Sequence, residues 1–66
     1  MNIQMLKGKI VERGLNLYSV SSKMGLSRAS LYRKLRGGEK ITIGEAAKIR
    51  DVLNLSEEEA TAIFFN

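Results

Sequence analysis

The chain has 66 residues, with no cysteine, no histidine and no proline, and a net charge of +4. That inventory excludes disulfide staples, thiolate or imidazole metal ligands, and nucleophilic catalysis by Cys or by a His-activated Ser. A length of 66 predicts one domain, residues 1–66. A domain this small buries only about 60% of the surface its unfolded chain exposes, so stability must come from a compact helical core or from a second chain.

No apolar run approaches the ~20 residues that cross a bilayer, and residues 1–9 lack the long apolar stretch of a secretory signal. The expectation is a cytoplasmic protein without cofactor or metal. The charge is unevenly spread. Residues 1–41 hold nine basic groups against Glu12 and Glu39, a net +7, whereas residues 42–66 hold Lys48 and Arg50 against five acids, a net −3. Such polarity fits a chain with one end turned to a polyanion.

In chain order, Ile3, Leu6 and Ile10 recur at the spacing of one buried helical stripe and predict a first helix over residues 3–13, with Gly14 as its stop. Asn16 is the expected N-cap of a short second helix, Leu17–Met24, with Val20 and Met24 inward and Gly25 as the following turn. Leu26 is expected to turn into the core. Ser27 then caps a third helix, Arg28–Leu35, with Leu31 and Leu35 inward and the Gly37–Gly38 pair behind it. Ile41 packs down from a connector. Thr42-x-x-Glu45 and Ser56-x-x-Glu59 are capping boxes, opening a fourth helix, Ile43–Leu53, and a fifth over residues 57–65. Ala46, Ile49, Val52 and Leu53 form the inward face of the fourth. The fold class is all-α, five short helices.

Residues 16–36 carry the chemistry. Two helices that meet near a right angle need a turn of about three or four residues, often with a glycine; Gly25 supplies the bend and Leu26 fastens it. With Leu31 and Leu35 inward, Ala29, Arg33 and Arg36 point nearly opposite, flanked by Ser30 and Tyr32, and Arg28 opens the first turn. A basic face with a small residue at its centre suits close entry into a major groove about 12 Å wide. Arg28 and Arg33 are the expected guanine readers, through bidentate guanidinium contacts. Lys23, Lys34, Arg36 and Lys40 are placed for phosphates, and Ser27 is a cap that can also meet one.

The run from Asn16 to Gly37, with Gly25, Leu26, Ser27 and Leu31 at their spacing, resembles the helix-turn-helix of the phage Cro and repressor (XRE-type) family. The likeness extends to the flanking helices, and the closing Ile63-Phe64-Phe65 resembles small Cro-like regulators of Gram-positive phages. It implies a lambda-repressor-like domain, double-stranded operator DNA as partner, and a Cro-like repressor acting as a homodimer. It places base reading on Arg28, Ala29 and Arg33, with Ser30 and Tyr32 as further candidates. The chain departs from the family where the second helix begins: Leu17 stands at a position that is often Gln and binds phosphate.

Other features have plainer readings. Gly37–Gly38 follows a helix and lacks the Walker spacing, so it reads as a helix stop. Adjacent Glu57–Glu59 do not face one another and read as a first turn that suits the positive end of a helix. Phe64 is expected to complete the core beside Ile63, leaving Phe65 as the dimerisation candidate. An antitoxin-type regulator, or a protein-interaction module gripping a partner through Phe65 and the acidic helix, is the alternative use of the same fold. The salt dependence of binding separates a phosphate contact from an apolar interface.

Overall fold

Every helix of the chain begins behind a polar side chain. In the computed structural model, which describes residues 1–37 and 40–65, Asn2, Asn16, Ser27, Thr42 and Ser56 each accept a hydrogen bond from the backbone N–H three residues on. Behind these caps run α1 (Ile3–Glu12), α2 (Leu17–Met24), α3 (Arg28–Leu35), α4 (Ile43–Leu53) and α5 (Glu57–Phe64). The boundaries of α2, α3 and α4 coincide with those read from the sequence. Helices α1 and α5 each stop one residue short, at Glu12 and Phe64, because Arg13 and Phe65 take the C-cap conformation. Gly38, half of the expected stop after α3, lies outside the described residues.

Three helix ends use one device. Gly14, Gly25 and Asn54 adopt left-handed backbone, at φ 70°, 75° and 51°, and each is followed by a leucine and then by the next helix's cap: Leu15-Asn16, Leu26-Ser27, Leu55-Ser56. The leucine N–H returns to the carbonyl five residues back, Leu15 to Ile10 at 3.0 Å, Leu26 to Ser21 at 2.9 Å and Leu55 to Arg50 at 2.9 Å. This paired closure satisfies carbonyls that the helix leaves open and drives an apolar side chain inward. Leu55 is buried, and Leu15 and Leu26 pack partly buried against the core.

The core joins Leu6 and Ile10 of α1, Val20 and Met24 of α2, Leu31 and Leu35 of α3, Ile49 and Leu53 of α4, Leu55, and Ile63 of α5. Helix α2 packs on both α3 and α4, and α1 packs on α5. Ser21 is buried with these side chains, at 1% exposure. Its hydroxyl donates to the Tyr18 carbonyl at 2.8 Å, so a polar atom enters the core satisfied. As expected, Phe64 packs partly buried beside Ile63, and Phe65 stays outside at 79% exposure. Among the described residues no helix is long and apolar enough to cross a membrane.

Lys9 of α1 and Arg13, its C-cap, are spent on the fold. The Lys9 ammonium pairs with the carboxylates of Glu59 and Glu12. Arg13 donates through Nε to the Leu53 carbonyl at 2.8 Å, closing the C-terminal end of α4, and stands 3.8 Å from Glu59. Lys9 first, and then the Ser56 backbone N–H, hold the Glu59 carboxyl down at about 2, well below its ordinary 4.5. The Lys9 ammonium is raised by the same pairing.

Two consequences are measurable. A carboxyl with a depressed folded-state pKa contributes stability that is present above its unfolded value and lost as pH falls toward the folded one. The melting temperature should therefore drop from pH 4.5 toward pH 2, the interval bounded by the two values for Glu59. Glu59→Gln, which keeps an acceptor for the Ser56 amide, should flatten part of that drop in thermal melts followed by circular dichroism; parallel profiles would contradict the pairing. At Gly25 nothing lies within 4 Å of an added Cβ, so Gly25→Ala meets only the left-handed backbone and should cost about 1 kcal/mol in urea unfolding. A Gly25→Ala protein as stable as the parent would mean that the turn does not require this conformation.

Candidate nucleic-acid interface

The outward face of α3 follows from its inward one. Leu31 and Leu35, at 1% and 5% exposure, fix the helix by one edge, and the Ser27 cap sets its start by accepting from the Ser30 N–H at 3.1 Å. A period of 3.6 residues then leaves Arg28, Ala29, Tyr32, Arg33 and Arg36 exposed, with Ser30 partly covered. Five of the residues expected to meet DNA thus lie on one solvent-facing surface. The sequence of α3 contains no acidic residue.

Several of these side chains are held in place. The Arg36 guanidinium lies 5.4 Å from the centroid of the Tyr32 ring, and its Nη1 donates to the Tyr32 hydroxyl at 3.5 Å. Arg33 donates to the Ser30 hydroxyl at 3.4 Å. Lys23 in the last turn of α2 is exposed; Lys40 in the connector is exposed too, and lines the groove between α4 and α5. Ser27 is exposed as well, and its oxygen accepts from the Ser30 N–H.

Lys34 differs from the other cations expected at phosphates. Its side chain is only 12% exposed, and its Nζ stands 3.3 Å from Glu45. The pairing ties the end of α3 to the first turn of α4. The Glu45 carboxyl is held low by the Thr42 backbone N–H and, after that, by Lys34. The charge of Lys34 still adds to the local field, but a phosphate would have to compete with Glu45 for it.

The start of α2 borders the same surface. Asn16 and Ser19 form a reciprocal capping box, with both N–H···O contacts at 2.9 Å. Sequence reasoning found the Asn16 cap but missed the box, because Ser19 stands where the usual pattern has Glu or Gln. Tyr18, 66% exposed on this first turn, received no role from the sequence. Leu17 beside it lines a shallow hollow with Arg28, Ala29 and Tyr32. No periodicity reveals that hollow, since it forms between two helices.

Ile43 is 88% exposed and Phe65 79% exposed, and both line an apolar groove between α4 and α5 that Met1 and Phe64 share. The exposed face of α3 and the apolar groove belong to different elements, and Lys40 and Arg50 stand on the groove.

No match was found among curated proteins or among solved structures. A family model does match, that of the Cro/C1-type helix-turn-helix DNA-binding domain, over residues 5–63. The matched span contains all five caps except Asn2, the turn at Gly25 and the whole exposed face of α3. With that match over nearly its full length and the basic α3 following the Gly25 turn, the chain belongs to the Cro/C1-type helix-turn-helix DNA-binding family.

Proposed function

We propose that this domain, residues 1–66, is a sequence-specific regulator of transcription, a Cro-like repressor that occupies an operator as a dimer in the cytoplasm and has no catalytic role. The observation that supports this reading most directly is the exposure of Arg28, Ala29, Tyr32 and Arg33 on a helix whose other edge is buried. In this reading α3 enters the major groove. Arg28 and Arg33 present guanidinium forks to guanine O6 and N7, and Ala29 keeps the helix close. Ser30 and Tyr32 reach neighbouring base edges. Lys23, Ser27, Arg36 and Lys40 meet phosphates on either side, fixing register without reading sequence. Lys34 contributes through its charge, or by exchanging Glu45 for a phosphate.

Dimerisation is assigned to the α4–α5 end, where Phe65 and Ile43 leave apolar surface in water. Half-sites read by a twofold dimer lie about 34–36 Å apart. One copy extends 27 Å along its longest axis, less than that spacing, so two copies fit side by side on one face of the duplex.

Selection of binding sites from random duplexes by the full chain tests the reading as a whole, since an enriched palindrome reports both sequence preference and twofold symmetry. On the selected site, Arg33→Ala should lose ~1–3 kcal/mol and relax preference at one base pair, whereas Lys23→Ala should weaken all sequences alike and reduce the salt slope by about 0.9. Equal loss for Arg33→Ala on selected and random DNA would contradict direct readout. Phe65→Ser should lower the sedimentation-equilibrium mass from dimer to monomer while leaving the helical circular dichroism unchanged; an unchanged dimer would remove Phe65 from the interface.

A further inference from the structure

We infer that the hollow between the starts of α2 and α3 receives the 5-methyl group of a thymine, which makes Leu17 and Tyr32 determinants of sequence preference. The inference rests on the DNA-reading role proposed for α3 and names what one part of that surface reads. The hollow is lined by Leu17, Arg28, Ala29 and Tyr32. Three of its four walls are apolar: the Leu17 side chain, the Ala29 methyl and the Tyr32 ring. Leu17 is partly buried and packed against the core, so that wall is anchored. The Tyr32 ring is anchored too, with Arg36 stacked at 5.4 Å and bonded to its hydroxyl.

The chemistry of the major groove then selects the occupant. Base edges there offer hydrogen-bond donors and acceptors, and thymine alone adds a methyl group. A donor or acceptor pressed into a hollow walled by Leu17 and Ala29 would lose water and gain no partner, which is costly, whereas a methyl group loses nothing by leaving water. The fourth wall, Arg28, is exposed and matches guanine. The geometry therefore points to a half-site in which a thymine sits within one base step of a guanine. Leu17, which lacks the polar group that would hold a phosphate, gains a use here as an apolar wall.

The test uses the site selected by the full chain and replaces each thymine in turn by deoxyuridine, which removes only the methyl. Fluorescence anisotropy should show one position per half-site, next to a guanine, where the change weakens binding about fourfold, the value of one buried methyl group. In Leu17→Gln that difference between thymine and uracil should vanish. Ala29→Gln provides the same test from an exposed position if Leu17→Gln does not fold, because filling the hollow should abolish the difference as well. Uracil tolerated at every position, or a thymine preference that survives both variants, overturns the inference while leaving the regulator reading intact. Failure to enrich any sequence overturns both.

Discussion

The left-handed residue, leucine and polar cap that recur at Gly14-Leu15-Asn16, Gly25-Leu26-Ser27 and Asn54-Leu55-Ser56 are the constraint on which the rest of the molecule depends. Each triplet ends one helix, sends an apolar side chain into the core and starts the next helix within three residues. Short rigid joints matter more in a small domain than in a large one, because the core has few side chains with which to correct a misdirected helix. The joint at Gly25 sets the angle between α2 and α3. Burial of Leu31 and Leu35 sets the rotation of α3 about its own axis. With angle and rotation both determined, the exposed row from Arg28 to Arg36 has no remaining freedom except in its side chains.

Charge in this chain serves two purposes, and the net value conceals the division. Lys9 and Arg13 belong to the strongly basic stretch of residues 1–41 yet hold α1 to α5 and close the end of α4, through Glu59 and the Leu53 carbonyl. Lys34 braces α3 against Glu45. Arg28, Lys23, Arg36 and Lys40 remain solvent-exposed. Exposed cations lose strength as salt screens them, whereas partly covered pairs with additional hydrogen bonds are less affected. Binding to a polyanion should thus be far more sensitive to ionic strength than folding is.

Much of the fold was legible because its signals are local. Caps, helix stops and the stripe at Ile3, Leu6 and Ile10 act within a turn or two of the chain, and the exposed face of α3 follows from Leu31 and Leu35 pointing inward. What stayed hidden depends on contacts between distant segments. Arg13 lies off the apolar stripe of α1 and nothing near it in the chain points to its partner, a carbonyl 40 residues away. Lys34 read as one more cation of α3, since its pairing with Glu45 requires the packing of α4. Leu55 gave no sign of its burial because it stands alone between two polar residues; only the left-handed turn at Asn54 directs it inward. The hollow beside Leu17 is of the same kind, a product of two helix starts brought together.

In the proposed complex α3 meets duplex DNA with its Arg28–Ala29–Tyr32–Arg33 surface, and the α4–α5 end carries the dimer contact. Titration of the isotope-labelled chain with its selected duplex, followed by amide chemical shifts, tests this residue by residue. The largest changes are predicted at Arg28, Ala29, Tyr32 and Arg33 and in the first turn of α2, with Ile49 and Leu53 nearly unmoved. Changes centred on Ile43 and α5, with α3 silent, would contradict it.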